Sequence, residues 1–574
     1  MTRTNGEFHG LPASADVVIV GGGIAGACAA WDAAQRGLNA VLVEQGDFGG
    51  STSAQSLKIL HGGIRYLQHL DIKRLRQSCH ERSAFLRIAP HLTRVLPFVV
   101  PTAGIGLEGK LAFRAALALL SALTFDRNRG IRQAHQRIPV GGIIGREEVE
   151  RRFPDIVDER TSGAAVFYDG QMLDPPRLVY AVVRTAAHEG ASVANYCRAV
   201  DIETGERGVK SVVLQNVDTG EEFRIATSCV VNAAGPFAVE SFATPENCAR
   251  KVNFSRDMAL VVDRKFDDEA AIAVQTKYKD PDAVLSRGNR HLFMVPWREY
   301  TLIGVNSKVY LDSPTEMNVN DDEIQTFLDE INEACPHLAL TRDDVLVVNA
   351  GLLPADESNV LGSNVSFGKR SVVTDHAKHG GPNGLISAMS VRWTTGRSTA
   401  EDAIDLVEQK LGRTKTRCRT AWTPVLGGDF NEIQHLIDAI AQDDLMGKLP
   451  EETRERIVHA YGTEWTAIKR LVGENPEDSR LIPGSTVTAA EVRHAVRNEH
   501  VKHLADVVFR RTGLGTGSHP GDAALKECAE ILGAELNWSE EHYLHELDDV
   551  AARFPLSNIS RPGIPSYSPK VQHG

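Results

Sequence analysis

Two stretches of this 574-residue chain carry residues that can do chemistry. The first, ADVVIVGGGIAGACAAWDAAQRGLNAVLVEQGD, places Gly21, Gly23 and Gly26 at the exit of a β-branched run, Asp16 to Val20. An alanine-rich segment stopped by Gly37 follows, then a second apolar run ending in Glu44. Strand, glycine turn, helix, strand and terminal acid make up a dinucleotide-binding unit. The glycines let the backbone close on a pyrophosphate at a helix N-terminus, and an acid about 20 positions on accepts from a ribose hydroxyl. The second stretch, LKILHGGIRYLQH over residues 57–69, crowds together His61, Gly62, Gly63, Arg65 and Tyr66. Arg65, in a glycine-bordered turn, can offer its fork to phosphate or carboxylate, or close a surface ion pair. His61 can act as a base, or support a cofactor loop through hydrogen bonds.

These side chains need elements that hold them. Cys229 to Asn232 reads as another strand, running into the small-residue turn Ala233, Ala234, Gly235, Pro236. Near residue 390, GLISAMSVRWTTGRSTAEDAIDLV passes from an apolar strand through a polar turn into a helix. Three separated pieces of one nucleotide-binding domain imply a discontinuous fold with a second domain inserted. That arrangement suits FAD, and no second complete glycine motif with a terminal acid marks a separate NAD domain.

Composition sets the outer bounds. At 42% hydrophobic the chain buries a large core in two or three domains, and a net charge of −12 argues against sequence-independent nucleic-acid binding. The eight cysteines contain no CxxC pair, which fits reduced thiols in a cytoplasmic protein and predicts no zinc site. The N-terminus lacks an apolar h-region, so no signal peptide is expected. The segment Leu111 to Phe125, flanked by Lys110, Arg127 and Arg129, is too short to span a bilayer. It suits either a core helix or a helix lying in a membrane interface, which would make the protein peripheral to the cytoplasmic membrane. His494, His500 and His503 fall on a helix introduced by the Thr488/Glu491 capping box and are expected on its polar face.

Residues 14 to about 550 resemble the FAD-dependent, quinone-linked glycerol-3-phosphate dehydrogenases. The landmarks DVVIVGGGIAGACAAWDAAQRGL, STSAQSLKILHGGIRYL, APHL, YDGQMLDPPRLVYA, VVNAAGPF, PWREYTLIGVNSKVY and LPADES come in that family's order and at comparable spacing. The resemblance implies an α/β fold: a discontinuous FAD-binding Rossmann-like domain, an inserted antiparallel-sheet substrate domain and a C-terminal all-α domain. The expected boundaries are 1–95, 165–250 and 345–410 for FAD, 96–164 and 251–344 for substrate, 411–555 for the helical domain, and a disordered tail at 556–574. It also implies site roles. Gly21, Gly23, Gly26, Glu44, Thr52, Ser53, Lys58, Gly62, Ala234, Gly235, Thr394 and Thr395 would hold FAD. Arg65, Tyr66, Arg392 and Thr395 would face a small anionic substrate, with His61, Arg65, Tyr66 and Arg392 forming the reactive group. Arg392 takes the place of the family's phosphate-binding Lys, exchanging a point donor for a planar fork.

Two positions depart from the family pattern at the chemistry. The family's GVRP loop carries an arginine beside the flavin, and here GLLP puts Leu353 there. A histidine suited to take the hydroxyl proton is replaced at Met258 or Ala259, with Arg256 and Asp257 nearby as partial substitutes. Three readings follow. One is hydride transfer from sn-glycerol 3-phosphate to FAD and on to quinone or another acceptor. Another is a same-fold flavin dehydrogenase or oxidase for a different small anionic alcohol or amine, and the third is a flavin protein without turnover. Oligomeric state is open.

Overall fold

A computed structural model of the chain describes residues 10–68, 71–104, 109–239, 254–279, 289–355 and 371–554. The expected disordered tail at 556–574 lies outside the described residues. The glycine unit folds as read: strand β1 (Val17–Val20), helix α1 (Ile24–Gln35), strand β2 (Ala40–Val43). They belong to a six-stranded sheet ordered Val372–Asp375, Leu385–Met389, Val230–Asn232, β1, β2, Ser192–Ala194. Every pairing in it is parallel except that of the Val372–Asp375 edge. Its central strands are buried along their whole length, which is why they read as unbroken apolar runs rather than alternating ones. Register aligns Val20 with both Val43 and Asn232. Gly21, Glu44 and Ala233 therefore leave the sheet side by side, at the carboxyl end where open α/β sheets bind ligands.

A second, nine-stranded sheet stands against the first. Its main path runs Val345–Pro354, Phe254–Val262, Tyr300–Tyr310, Asn289–Trp297, Ala271–Lys279, Thr93–Ala103, Thr161–Met172, Ile59–Leu60. It is antiparallel apart from the Ala271/Phe98 pairing. The strands at 59–60, 165–172 and 345–354 thus lie in this sheet, whereas the sequence boundaries gave them to the nucleotide domain. An apolar run announces a strand without announcing its partners, so the boundary had to wait for the pairing. One face of the sheet packs Met258, Leu260 and Val262 onto helix Asp321–Ala334; the other carries Ala259 and Val261 against Leu57 and Ile59.

The C-terminal segment is helical, with two apolar clusters of its own. Thr488 and Glu491 form the expected capping box on helix Ala489–Asn498. The histidine expectation needs correction. The helix stops at Asn498, leaving His500 at φ 56° and His503 as the cap of the next turn, while His494 is buried rather than on a polar face. The segment docks through buried ion pairs: Arg510 and Arg511 both reach Asp47, and Arg177 grips Glu499 through both terminal nitrogens at 2.5 and 2.8 Å.

Helix Lys110–Leu123 lies on the surface. Leu117 is buried, but Leu111 and Phe125 are each 79% exposed and Leu119 is 45% exposed. Among the described residues no helix is long and apolar enough to cross a membrane.

Candidate functional site

The glycine turn is a cradle that side chains would fill. A Cβ on Gly21 would lie 2.6 Å from the Ala233 carbonyl oxygen, and one on Gly26 would lie 1.8 Å from that of Gly21. Gly21 sits at φ 106°, which favours glycine. The N-cap residue of α1 is Gly23, which brings no side chain of its own to the helix N-terminus, the end that favours an anion. Glu44 stands at the rim, accepting from the Gly22 and Gly46 N–H groups at 2.6 and 2.9 Å. Burial holds its carboxyl above the ordinary range, against the pull of those two N–H donors. Ser53 Oγ accepts from the Ile24 N–H at 3.1 Å, and its carbonyl accepts from the Trp393 indole at 3.1 Å, tying the cradle to the turn after residue 390. Thr52 reaches the Leu352 carbonyl at 3.4 Å. Ala234 and Gly235 close the turn after strand Val230–Asn232, with the Ala234 N–H on Asn232 Oδ1 and Gly235 at φ 57°. The cradle's shape and donors fit a dinucleotide.

Lys58 is placed differently from the expectation. It adopts φ 60° and turns its buried side chain onto the Trp297 ring, 4.3 Å from the centroid, instead of into the cradle. Burial lowers its pKa to about 8, with Asp174 opposing and Arg298 reinforcing.

The HGG loop is fastened through two successive backbone N–H groups. The His61 N–H donates to Thr394 Oγ1 at 3.0 Å and the Gly62 N–H to Asp169 Oδ1 at 2.7 Å. Asp169 is buried and also accepts from Arg82 at 2.7 Å. A Cβ on Gly62 would sit 2.1 Å from that guanidinium and 2.4 Å from Asp169 Oδ1, so a larger residue would have to displace this buried ion pair. The His61 ring stands 48% exposed, its Nδ1 3.9 Å from Asp169 Oδ2. Thr395 is buried beside Ser371 and Ser390, at the start of helix Gly396–Lys410.

Beyond the loop lies a cationic cluster. Arg392 is half-buried, donates to the Ser78 hydroxyl, and holds its guanidinium carbon 5.0 Å from the Tyr66 ring centroid. Among the described residues no carboxylate forms an ion pair with it, and the Asp71 charge acts on it from further away. Arg74 stands 4.7 Å from the same ring. The Arg65 backbone opens the short helix Arg65–Gln68, and its side chain lies outside the described residues. Tyr66, Arg392, Thr394 and His61 are therefore brought together.

The two departures share one sheet face. Leu353 pairs with Ser255, and Asp257 and Ala259 follow on the same side. Ala259, not Met258, is thus the position turned toward the 52–62 segment, since Met258 points at helix Asp321–Ala334. Arg256 is corrected on the same ground: strand alternation sends it to Glu323 and the Asn318 carbonyl, away from the site. Sequence reading missed Asp169, Arg82, Arg74 and Ser78. The one signal for the last two was their i, i+4 spacing on helix Ile72–Ile88, which puts them on one face.

Residues 16–392 match the family model described as FAD dependent oxidoreductase, and 418–543 match the C-terminal domain of alpha-glycerophosphate oxidase. A glycerol-3-phosphate dehydrogenase of Synechocystis is 29% identical over 541 residues, covering 92% of this chain and 94% of the relative. A probable mitochondrial glycerol-3-phosphate dehydrogenase of Dictyostelium discoideum is 29% identical over 561 residues, covering 93% of this chain and 82% of the relative. The structure of glycerol-3-phosphate dehydrogenase from Bacillus halodurans complexed with FAD shares the fold at TM-score 0.73 and 22% identity, covering 95% of this chain and 97% of that one. The chain belongs to the FAD-dependent oxidoreductases, as an enzyme of their glycerol-3-phosphate dehydrogenase family acting on an alcohol donor.

Proposed function

We propose that the enzyme oxidises sn-glycerol 3-phosphate and passes the electrons to quinone. The observation that carries the reading is Arg392: a half-buried cation in no ion pair with a carboxylate among the described residues, set over Tyr66 and two residues from the Thr394 that holds the His61 loop. Asp71, paired with Arg74, is the carboxylate whose charge reaches Arg392, so two guanidiniums face one carboxylate and the balance favours an anion from outside. Gly21, Gly23, Gly26, Glu44, Thr52, Ser53, Gly62, Ala234, Gly235, Thr394 and Thr395 would hold FAD, with Lys58 supporting the loop from behind. FAD, when bound, supplies the acceptor for the hydride that leaves the carbinol carbon. Arg392, Tyr66 and Arg65 hold the phosphate. His61 takes the hydroxyl proton at a ring nitrogen while Asp169 stands behind Nδ1 to orient the ring, so the C–O bond becomes a carbonyl without a free alkoxide. The relatives' printed names and the C-terminal family match support the same substrate.

A second reading keeps the fold and changes the substrate to another small anionic alcohol or amine. It is favoured by Leu353 and Ala259, which leave that sheet face without a cation or an imidazole at those two positions. Anaerobic addition of sn-glycerol 3-phosphate to the yellow holoenzyme decides between them. Rapid bleaching of the flavin band supports the first reading. No bleaching with that compound, but bleaching with another polyol phosphate, hydroxy acid or amine, selects the second. We place the protein at the cytoplasmic membrane surface as a peripheral enzyme, on the strength of the apolar stripe of helix Lys110–Leu123.

A further inference from the structure

Helix Ile72–Ile88 enters the cationic cluster end-on. Asp71 caps it and fixes Arg74 twice: Oδ1 accepts from the Arg74 N–H at 2.9 Å and Oδ2 from its Nε at 2.6 Å. That grip sets the guanidinium 4.7 Å from the Tyr66 centroid. One turn later the fully buried Ser78 accepts from Arg392, whose guanidinium stands 5.0 Å from the same centroid. A single helix therefore supplies one cation and orients the other. Two guanidiniums on one ring repel: burial disfavours the Arg392 charge and Arg74 adds to the effect, while Tyr66 and Asp71 oppose it. A multiply charged anion bound at the Tyr66 ring lies in the field of both guanidiniums and relieves their repulsion more than a singly charged one does.

We propose that Arg74 is a specificity-determining residue: with Arg392 it forms a two-arginine clamp around Tyr66 that selects a dianionic phosphomonoester over a singly charged carboxylate. The inference rests on the reading of this cluster as the substrate's anion site. It assigns the second cation to a residue on a helix that carries no recognisable motif, four residues before the Ser78 that holds Arg392.

The test uses holoenzyme and two probes. Inorganic phosphate is titrated by its perturbation of the flavin spectrum, and sn-glycerol 3-phosphate and glycerate are compared in anaerobic flavin reduction. Arg74→Leu weakens phosphate binding about tenfold or more and raises the half-saturating concentration of glycerol phosphate by a similar factor. The limiting rate stays within about twofold, and discrimination against glycerate falls. Arg74→Lys recovers most of the loss. Asp71→Asn keeps the helix cap and removes a negative charge, so it tightens phosphate binding. Unchanged phosphate binding in Arg74→Leu overturns the clamp, and so does weakened binding in Asp71→Asn, which would make the pair a structural tie. If glycerol phosphate fails to bleach the native enzyme while phosphate binding still depends on Arg74, the substrate reading falls and the clamp stands.

Discussion

The His61 ring is half exposed, with a buried carboxylate 3.9 Å from Nδ1 and its own backbone pinned to Thr394. A base needs an orienting partner and access to substrate, and in the proposed reaction Asp169 and the exposed side of the ring would supply them. His61→Asn keeps a hydrogen-bonding side chain of similar reach and removes the base. Its limiting rate of flavin reduction should fall about 10²- to 10³-fold with little change in half-saturating concentration. A rise in half-saturating concentration at constant limiting rate would instead assign the ring to binding. The sequence marked His61 and Arg392 because both sit in recognisable motifs. Asp169 lies in a strand whose register against Ile59–Leu60 sets it beside Gly62, and Arg74 lies in a basic helix that reads as a solvated face. Neither neighbourhood follows from local spacing, so neither residue stood out.

At the scale of elements, the unit from β1 to β2 was legible down to individual glycines because its constraints are local: a tight turn, a close helix–strand approach, a strand end. Gly26 is the sharpest of them. Gly26→Ala would drive a methyl into the Gly21 carbonyl, and backbone cannot yield there as a flexible side chain would. The variant should purify without flavin, read as loss of the visible absorbance band relative to protein. A yellow variant at full occupancy would mean that α1 packs elsewhere. The second sheet was less legible, since strand Val345–Pro354 could join either sheet until its ladder with Phe254–Val262 was seen. Past Asn498 the difficulty was chain direction, because a helical histidine spacing says nothing of the break that turns His503 toward helix Glu540–Ala552. There His503 Nδ1 meets Glu546 at 2.6 Å, and Nε2 lies 3.7 Å from Asp218. Burial alone would lower its pKa, but those carboxylates push it up to about 10 from 6.5. A raised folded-state pKa stabilises fully below about 6.5 and is lost as pH climbs through about 10. The gap in thermal midpoint between the native enzyme and His503→Gln should therefore be widest near pH 6 and close toward pH 10. A gap that does not change with pH would remove the charge from the explanation.

Across the whole molecule the ties are ionic where the helical segment meets the six-stranded sheet and apolar where helix Lys110–Leu123 meets Leu67 and helix Ile72–Ile88. Asp47, two buried arginines and the Arg177–Glu499 pair hold the first junction. At the second, Ala116, Leu120 and Leu123 pack on Leu67, Leu75 and Cys79, the same small cluster that Tyr66 packs against, so the surface helix and the ring between the two arginines share one apolar support. Its outer face is different in kind. Leu111 and Leu119 project from the helix and Phe125 follows just past its end, with exposed Arg114 between the first two and Lys110 and Arg129 flanking the group. A helix buried by one face and apolar on the other suits an interface between headgroups and acyl chains, where each buried leucine or phenylalanine contributes about 1.5–3 kcal/mol. The pattern was visible in the sequence only as an ambiguity, because a core helix and an interfacial helix share their apolar content; burial of Leu117 against exposure of Leu111 separates the two faces. Leu117 must accordingly be left alone in any test, since replacing it would unseat the inner face. Leu111→Asp with Phe125→Asp should abolish co-flotation with vesicles of phosphatidylglycerol and phosphatidylethanolamine, while flavin bleaching by glycerol phosphate in solution stays at the native rate. Equal flotation of native and doubly substituted enzyme would take the membrane role away from this helix. A loss of bleaching together with flotation would show that its two faces are not independent, and that docking reaches the substrate through Tyr66.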